Sequence, residues 1–202
     1  MSICYIVGAG DFEGGFTPLE CDTVIAADGG YDNLLRHGIR CDLLIGDLDS
    51  ISDIPASVKT QRHPVRKDET DMHLSYLEGA KRGYSEFVIY GGTGGREDHT
   101  FANYSLLLYA KERGHNATLV GTKNVTRVVK NEKISLRGER GKHLSVFAFS
   151  TEAKGVDIKG AEYEAEGITL TPSFPLGASN LFCEGEVTVS VEDGILLVMS
   201  EK

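Results

Sequence analysis

Tryptophan is absent from this chain of 202 residues, and cysteine is scarce. The four cysteines stand far apart and form no Cys-x-x-Cys pair; they are Cys4, Cys21, Cys41 and Cys183. This spacing excludes zinc-ribbon and thioredoxin-like sites, and so few cysteines do not build a disulfide framework in a chain of this length. The sequence therefore points away from a cysteine-based metal or redox site.

Long apolar runs are also missing. No run of about 18 apolar residues occurs, so the sequence predicts no membrane-spanning helix. The first ten residues have no basic segment before their apolar stretch, and we expect no secretion signal there. We therefore expect a cytoplasmic protein without a membrane partner.

Positive charge is in deficit. Lys and Arg total 21 against 30 Asp and Glu, which gives a net charge of -9. Nucleic acid and anionic membranes would repel this charge, so neither is an expected partner. An acidic protein can still bind ATP where a metal and a few basic groups are concentrated at the site.

Strands and helices alternate up to about residue 122. The predicted strands are 2–7, 23–27, 43–45, 86–90 and 117–120, and the predicted helices are 31–37, 70–82 and 98–113. In the first helix, Leu34 and Leu35 are both expected to point inward. This alternation predicts a mostly parallel, Rossmann-like α/β domain over residues 1–122.

The pattern changes after residue 122, where short apolar runs are separated by turn residues and no helix is predicted. Asp193-Gly194 between two apolar runs is a good hairpin signal. Many short antiparallel strands predict a second domain over residues 123–202, a small β-sandwich.

Four polar clusters follow predicted strands or begin a helix. They are Asp28-Gly29-Gly30, the segment 46–50, Thr70-Asp71 and the segment 91–99. Ligands of open parallel sheets bind at the carboxyl ends of the strands, so we expect these clusters to converge on one edge. Any one cluster is explained more simply as a turn, but four on one edge favour a binding site.

The acidic residues of this edge fit a magnesium site. Asp47 and Asp49 are two residues apart, and both side chains can turn toward one cation, with Asp28 and Asp71 as further candidates. Mg²⁺ prefers carboxylates, waters and substrate phosphates as ligands. An edge this acidic would repel ATP unless a cation were present.

A glycine-rich segment, 91–95, precedes a predicted helix and Arg96. Glycines allow close backbone approach, a helix N-terminus favours anions, and Arg96 can bind a phosphate bidentately. The segment lacks the Lys-Ser/Thr of a Walker A loop. Gly8-Ala9-Gly10 resembles a dinucleotide fingerprint, but Glu13 occupies its third glycine position, so an NAD site is not predicted.

Together these segments resemble the thiamine pyrophosphokinase family. The resemblance covers nearly the whole chain in order, through 28–30, 46–50, 67–71, 91–99 with Asn103, Ser179-Asn180 followed by Phe182, and 194–198. It implies an α/β domain followed by a β-sandwich. It also implies a reaction in which thiamine and ATP give thiamine diphosphate and AMP.

The resemblance implies roles for the matching positions. Mg²⁺ would be held by Asp47, Asp49 and Asp71. ATP would be bound by Asp28, Gly29, Lys67, Thr70, Gly92, Arg96 and His99. Catalysis would involve Asp71, Asp98 and Arg96, with the proton acceptor open between Asp71 and Asp98.

On the thiamine side, the resemblance implies contacts from Ser179 and Asn180 and a homodimer with shared active sites. Eukaryotic members place a Trp over thiamine, and this chain has none, so the candidates for the aromatic face are Phe174, Phe182 and Tyr163. Two alternatives remain open. One is another magnesium- and ATP-dependent kinase or pyrophosphokinase of a small heterocyclic alcohol, and the other is a non-catalytic nucleotide-binding module.

Overall fold

The structure is a computed structural model that describes residues 2–48, 51, 54 and 57–202. The chain divides into two compact units, Met1–Thr122 and Lys123–Lys202. Among the helices of the described residues, none has both the length and the apolar composition of a membrane span.

The first unit is built around a parallel sheet. Its elements in chain order are β1 (Cys4–Val7), β2 (Thr23–Ala27), α1 (Gly30–Arg36), β3 (Leu43–Gly46), β4 (Thr60–Arg62), α2 (Asp71–Lys81), β5 (Glu86–Tyr90), α3 (Glu97–Glu112) and β6 (Asn116–Val120). The strands lie in the order β6-β5-β1-β2-β3-β4, and all these neighbours are parallel. This arrangement confirms the predicted α/β class.

The strand order reverses at β1, which has β2 on one side and β5 on the other. In open parallel sheets, a crevice forms at the carboxyl ends of the strands at such a reversal. The loops after β1, β2 and β5 therefore meet at one edge, where the polar clusters were expected.

The central strands are apolar because both of their faces are covered. Ile6, Ile25 and Leu44, from β1, β2 and β3, are all fully buried. Leu34 of α1 is also fully buried, but Leu35 is 64% exposed, so the inward prediction for Leu35 was wrong. Successive helix residues lie about 100° apart, and a helix of seven residues buries a single narrow stripe.

The second unit contains only strands and turns. They are β7 (Asn124–Lys130), β8 (Lys133–Arg137), β9 (His143–Ala148), β10 (Ala153–Lys159), β11 (Ala165–Leu170), β12 (Asn180–Leu181), β13 (Glu186–Ser190) and β14 (Ile195–Glu201). Antiparallel pairing gives the orders β12-β9-β14-β7 and β11-β10-β13-β8.

Inward residues of both sheets of the second unit form one apolar core. Leu144 and Val198 from the first sheet and Val156 and Val187 from the second all belong to it. Two sheets sharing one core are the predicted small antiparallel β-sandwich.

Two strands of the structure were not predicted. β4 consists of Thr60-Gln61-Arg62 and is largely exposed, and among the described strands its one partner is β3. β12 has two residues and pairs with β9. An edge strand can form from backbone hydrogen bonds with little burial of its side chains. Neither segment carries an apolar run, so the sequence pattern did not predict these two strands.

Candidate active site

A cavity of about 470 Å³ lies at the carboxyl edge of the parallel sheet. Its walls come from the loops after β1, β2, β3, β4 and β5, from the first turn of α2 and from the first two turns of α3. The volume is within the usual range for small-molecule sites, about 300–1,000 Å³.

Most of the predicted ATP and metal residues line this cavity. They are Asp28, Asp47, Lys67, Thr70, Asp71, Gly92, Arg96 and His99. Gly29 and Asp98 are not among its lining residues. Asp49 lies outside the described residues, so its predicted role as a metal ligand stays a prediction.

Two glycine loops form one wall by direct backbone contact. The Gly10 N–H donates to the Gly91 carbonyl (2.8 Å), and the Asp11 N–H donates to the Thr93 carbonyl (2.8 Å). A Cβ on Gly10 would lie 2.3 Å from the Thr93 oxygen, and one on Gly91, which has φ 60°, would lie 2.2 Å from the Gly8 oxygen. The Gly8-Ala9-Gly10 turn therefore serves loop packing at the cavity wall.

Two buried asparagines hold these loops. The Asn33 Nδ2 donates to the carbonyl oxygens of Gly8 (2.9 Å) and Gly10 (3.0 Å). The Asn103 Nδ2 donates to the Gly92 carbonyl (2.7 Å). The sequence reasoning missed Asn33. Its place beside the inward Leu34 was no usable signal, because Leu35 is equally adjacent to Leu34 and is exposed.

Backbone strain marks two strand ends beside the cavity. Asp28 has φ 44° and Leu48 has φ 62°, although neither residue is glycine. Non-glycine residues avoid this left-handed region, and those that adopt it concentrate at functional sites. Each strained residue stands at or next to a carboxylate that lines the cavity, Asp28 itself or Asp47.

The cavity lining is strongly acidic. In the described part of the chain, its carboxylates are Asp11, Asp28, Asp47, Glu69 and Asp71, whereas its permanent cations are Lys67 and Arg96. The Lys67 Nζ lies 2.6 Å from Asp71 Oδ1, in an ion pair whose side chains are 13% and 27% exposed. Thr70 caps α2 by accepting the His73 N–H (3.2 Å) and so fixes the first turn, which carries Asp71.

Arg96 and Asp98 form a bidentate pair at the start of α3. Arg96 Nε lies 3.1 Å from Asp98 Oδ1, and an Arg96 terminal nitrogen lies 2.5 Å from Asp98 Oδ2. The Arg96 hydrogen bond lowers the pKa of Asp98, and the reciprocal bond raises the pKa of Arg96. Both side chains are largely exposed, so Arg96 can still turn toward a ligand.

The donor set of the cavity fits a magnesium ion. Within the described ranges, which omit position 49, no cluster of three or more His, Cys, Asp or Glu side chains is close enough to hold a metal. Asp28, Asp47 and Asp71 nevertheless line one cavity. Mg²⁺ usually takes only one or two carboxylates and fills its remaining positions with water and substrate phosphates.

The second unit contains the predicted thiamine residues Ser179 and Asn180. Asn180 is 4% exposed, and its amide is bonded to the backbone of Tyr163: Oδ1 accepts the N–H (3.0 Å) and Nδ2 donates to the carbonyl (2.7 Å). The neighbouring Ser179 is exposed and has φ 60°. The structure thus gives Asn180 a local partner, the Tyr163 turn.

The three aromatic candidates for the thiamine face differ in exposure. Phe182 is 1% exposed and belongs to the core of the sandwich, so it is not available to a ligand. Tyr163 and Phe174 are 65% and 64% exposed. Tyr163 is the candidate that Asn180 holds in place.

Relatives and solved structures resemble the chain over nearly its full length. A curated thiamine pyrophosphokinase of Bacillus subtilis is 25% identical over 182 residues, which cover 87% of this chain and 85% of the relative. A crystal structure of thiamine pyrophosphokinase from the same organism has a TM-score of 0.89 at 23% identity and covers 100% and 99% of the two chains. Thiamin pyrophosphokinase from Candida albicans has a TM-score of 0.73 at 16% identity, with 99% and 89% covered.

Family models match both units. The catalytic domain of thiamin pyrophosphokinase matches residues 19–119, and its vitamin B1 binding domain matches residues 131–196. The first range spans half of the chain and includes most of the residues that line the cavity. The chain belongs to the thiamin pyrophosphokinase family.

Proposed function

We propose that this chain transfers the pyrophosphoryl group of ATP to the hydroxyl of thiamine, giving thiamine diphosphate and AMP, and that ATP binds in the cavity of the first unit. Thiamine diphosphokinase activity is the activity of the family. One observation supports this location of the ATP site. Carboxylates, glycine backbone and the cations Lys67 and Arg96 line a single cavity where the strand order of the sheet reverses.

The charge of the cavity supports a metal-dependent reaction. Among the residues that the structure describes, five carboxylates and two permanent cations line it, so a triphosphate would meet net repulsion there. We assign Asp47 and Asp71 as ligands of Mg²⁺, and we propose Asp49 and Asp28 as further ligands. When bound, the ion would neutralise phosphate charge that develops during transfer.

The remaining groups bind and orient ATP. Arg96 stands at the N-terminus of α3, which favours anions, and its guanidinium can bind a phosphate bidentately. Lys67 lies against Asp71 and can reach a phosphate once Asp71 has another cation to bind. The glycines at 91, 92, 94 and 95 allow the phosphates to approach the backbone closely.

The proton of the thiamine hydroxyl needs an acceptor. Asp71 lines the cavity, whereas Asp98 does not and is held ionised in its pair with Arg96. We therefore assign proton acceptance to a carboxylate oxygen of Asp71. We assign Asp98 the positioning of Arg96. The hydroxyl oxygen forms its new bond to the β-phosphorus, and the bond from that phosphorus to AMP breaks.

The thiamine site is proposed to use Ser179 and Tyr163, with Asn180 holding Tyr163. We further propose a homodimer in which the cavity of one subunit works with Ser179 of the partner subunit. Mixing inactive Asp49→Ala and Ser179→Tyr subunits by co-expression tests this sharing. Mixed dimers should regain one intact site each, whereas no recovery, or a monomer by sedimentation, would contradict the proposal.

Product analysis tests the reaction itself. The protein is incubated with ATP, Mg²⁺ and thiamine, and nucleotides and thiamine esters are separated by chromatography. AMP and thiamine diphosphate in equal amounts are expected. ADP with thiamine monophosphate would indicate a kinase, and ATP binding without turnover would indicate a non-catalytic nucleotide-binding module.

A further inference from the structure

A second cavity, of about 790 Å³, lies within the sandwich unit, at one end of the gap between its two sheets. Its walls include Val125 and Arg127 of β7, Ile134 and Leu136 of β8, and Ser200 of β14. We call it the inter-sheet cleft. Neither Ser179 nor Asn180 lines it, so it is separate from the proposed thiamine residues.

Strand register places a cation on the inner face of this sandwich. Arg127 pairs directly with Val198 of β14, and directly opposed residues of antiparallel strands share a face. Val198 and Val129, which is two residues from Arg127 on β7, both belong to the apolar core. The Arg127 side chain therefore occupies a position that alternation assigns to an apolar residue.

The Arg127 guanidinium lacks hydrogen-bond and ion-pair partners among the described residues. Burial lowers its pKa, and within the described part of the chain no hydrogen bond or ion pair engages it. Glu201 also lines the cleft, but its carboxylate accepts the His143 N–H (3.0 Å) and lies 3.7 Å from Lys142 Nζ. Desolvation of a cation without such compensation is unfavourable, so Arg127 reduces the stability of the ligand-free fold.

The chemistry of the cleft selects an occupant. A guanidinium carries N–H donors in a planar fork that matches a carboxylate or a phosphate. Apolar side chains of Val125, Ile134 and Leu136 line the cleft. Its other lining residues include the charged Arg137, Glu139 and Lys202. A cleft of this volume accommodates a small organic molecule. Thiamine itself is cationic, and Arg127 would repel it.

We propose that the inter-sheet cleft binds a small organic anion, whose carboxylate or phosphate pairs with Arg127 and whose apolar part packs between β7 and β8. This site goes beyond the proposed function, because it lies in the sandwich unit and involves none of the residues assigned to ATP or thiamine.

Binding can be measured on the full chain by NMR in a buffer free of phosphate, ATP and thiamine. The probes are phenyl phosphate, benzoate and, as a neutral match, benzyl alcohol. One or both anions should shift backbone amides of β7 and β8 saturably, and the one that does so identifies the acidic group. Benzyl alcohol should bind more weakly than either anion that binds.

Arg127→Gln should weaken anion binding about tenfold or more, the loss expected when a charge-assisted hydrogen-bond pair is removed. Lys130→Gln is the matched control, because it removes one positive charge from an exposed position on the same strand and should bind like wild type. The proposal is overturned if neither anion binds the wild type, or if Arg127→Gln binds as well as the wild type does.

Thermal unfolding without ligand supplies an independent readout. Arg127→Met should unfold at the same temperature as wild type or higher, because it replaces a partly buried, unpaired charge with an apolar side chain. A lower unfolding temperature would mean that the chain itself satisfies the guanidinium, which contradicts the proposal. A wild-type dimer that Arg127→Gln converts to monomer would assign this contact to a second copy and also overturn it.

Discussion

Replacing Asn180 by Ala tests whether this residue binds thiamine or holds the turn that does. The side chain is 4% exposed and makes three hydrogen bonds to backbone. Two join it to Tyr163, at 3.0 and 2.7 Å, and one accepts the Leu181 N–H at 2.9 Å. The substitution removes all three and leaves the backbone groups of Tyr163 without their amide partner.

The expected loss of stability follows from these bonds. Each hydrogen bond contributes about 1 kcal/mol net, so Asn180→Ala should lower the free energy of unfolding by about 2–3 kcal/mol. For a chain of this size, that loss corresponds to an unfolding temperature lower by about 5–10 °C. Urea titration and calorimetry measure both quantities. Ser179→Ala is the control, because it alters the exposed neighbour and should stay within about 0.5 kcal/mol of wild type.

Kinetics then separate positioning from contact. If Asn180 acts through Tyr163, Asn180→Ala and Tyr163→Ala should each raise the KM for thiamine, and the double variant should be little worse than Tyr163→Ala alone. The KM for ATP should not change. An Asn180→Ala variant with wild-type stability but a KM for thiamine about tenfold higher would refute this reasoning, because it would show a direct contact.

Three further predictions concern the first unit. Lys67→Met should raise the KM for ATP about tenfold or more, because it removes a cation that lines the cavity. The control variant Lys59→Met lies at an exposed position outside the cavity and should leave the KM for ATP unchanged. Equal KM values for the two variants in steady-state assays would contradict the phosphate role of Lys67. Asn103→Ala should lower the free energy of unfolding by about 1–3 kcal/mol and weaken ATP binding, because the Gly92 carbonyl loses its hydrogen-bond donor. Calorimetry measures the stability and nucleotide titration measures the affinity. An unchanged affinity for ATP would show that Asn103 does not support the ATP site. Burial raises the pKa of Asp22, but hydrogen bonds from the Ile3 and Leu19 N–H groups outweigh it and hold that pKa below the usual range of an aspartate. The ionised Asp22 therefore stabilises the fold at neutral pH, and this stabilisation is lost as pH falls through the folded-state pKa. In urea titrations, Asp22→Asn should lower the free energy of unfolding by about 1–2 kcal/mol at pH 7 and by less at pH 3. An equal loss at both pH values would contradict the charge-based account.

The sequence predicted the parallel sheet, the sandwich and the edge where the polar clusters meet, because buried strands are apolar and the clusters stand at strand ends. It also contained the spacing of the Lys67–Asp71 pair, four residues apart across the start of α2, although that pair was not predicted. β4 could not be predicted from the sequence, since a polar edge strand carries no hydrophobic pattern.

Other features depend on contacts between distant segments. Asn33 bonds carbonyls 23 and 25 residues away, and Asn180 bonds a turn 17 residues away. From the local sequence alone, both asparagines would be interpreted as turn or surface residues. Only the folded chain shows that the first holds a glycine loop and that the second holds Tyr163.

The most direct test of the acidic cavity is the rate of AMP release by Asp47→Asn at saturating ATP, Mg²⁺ and thiamine. The substitution keeps the size of the side chain but removes a proposed metal ligand from the cavity lining. The account predicts a rate lower by about a hundredfold or more, with unfolding unchanged, because phosphoryl transfer depends chiefly on positioning and charge stabilisation. A folded Asp47→Asn protein that releases AMP at nearly the wild-type rate would contradict it.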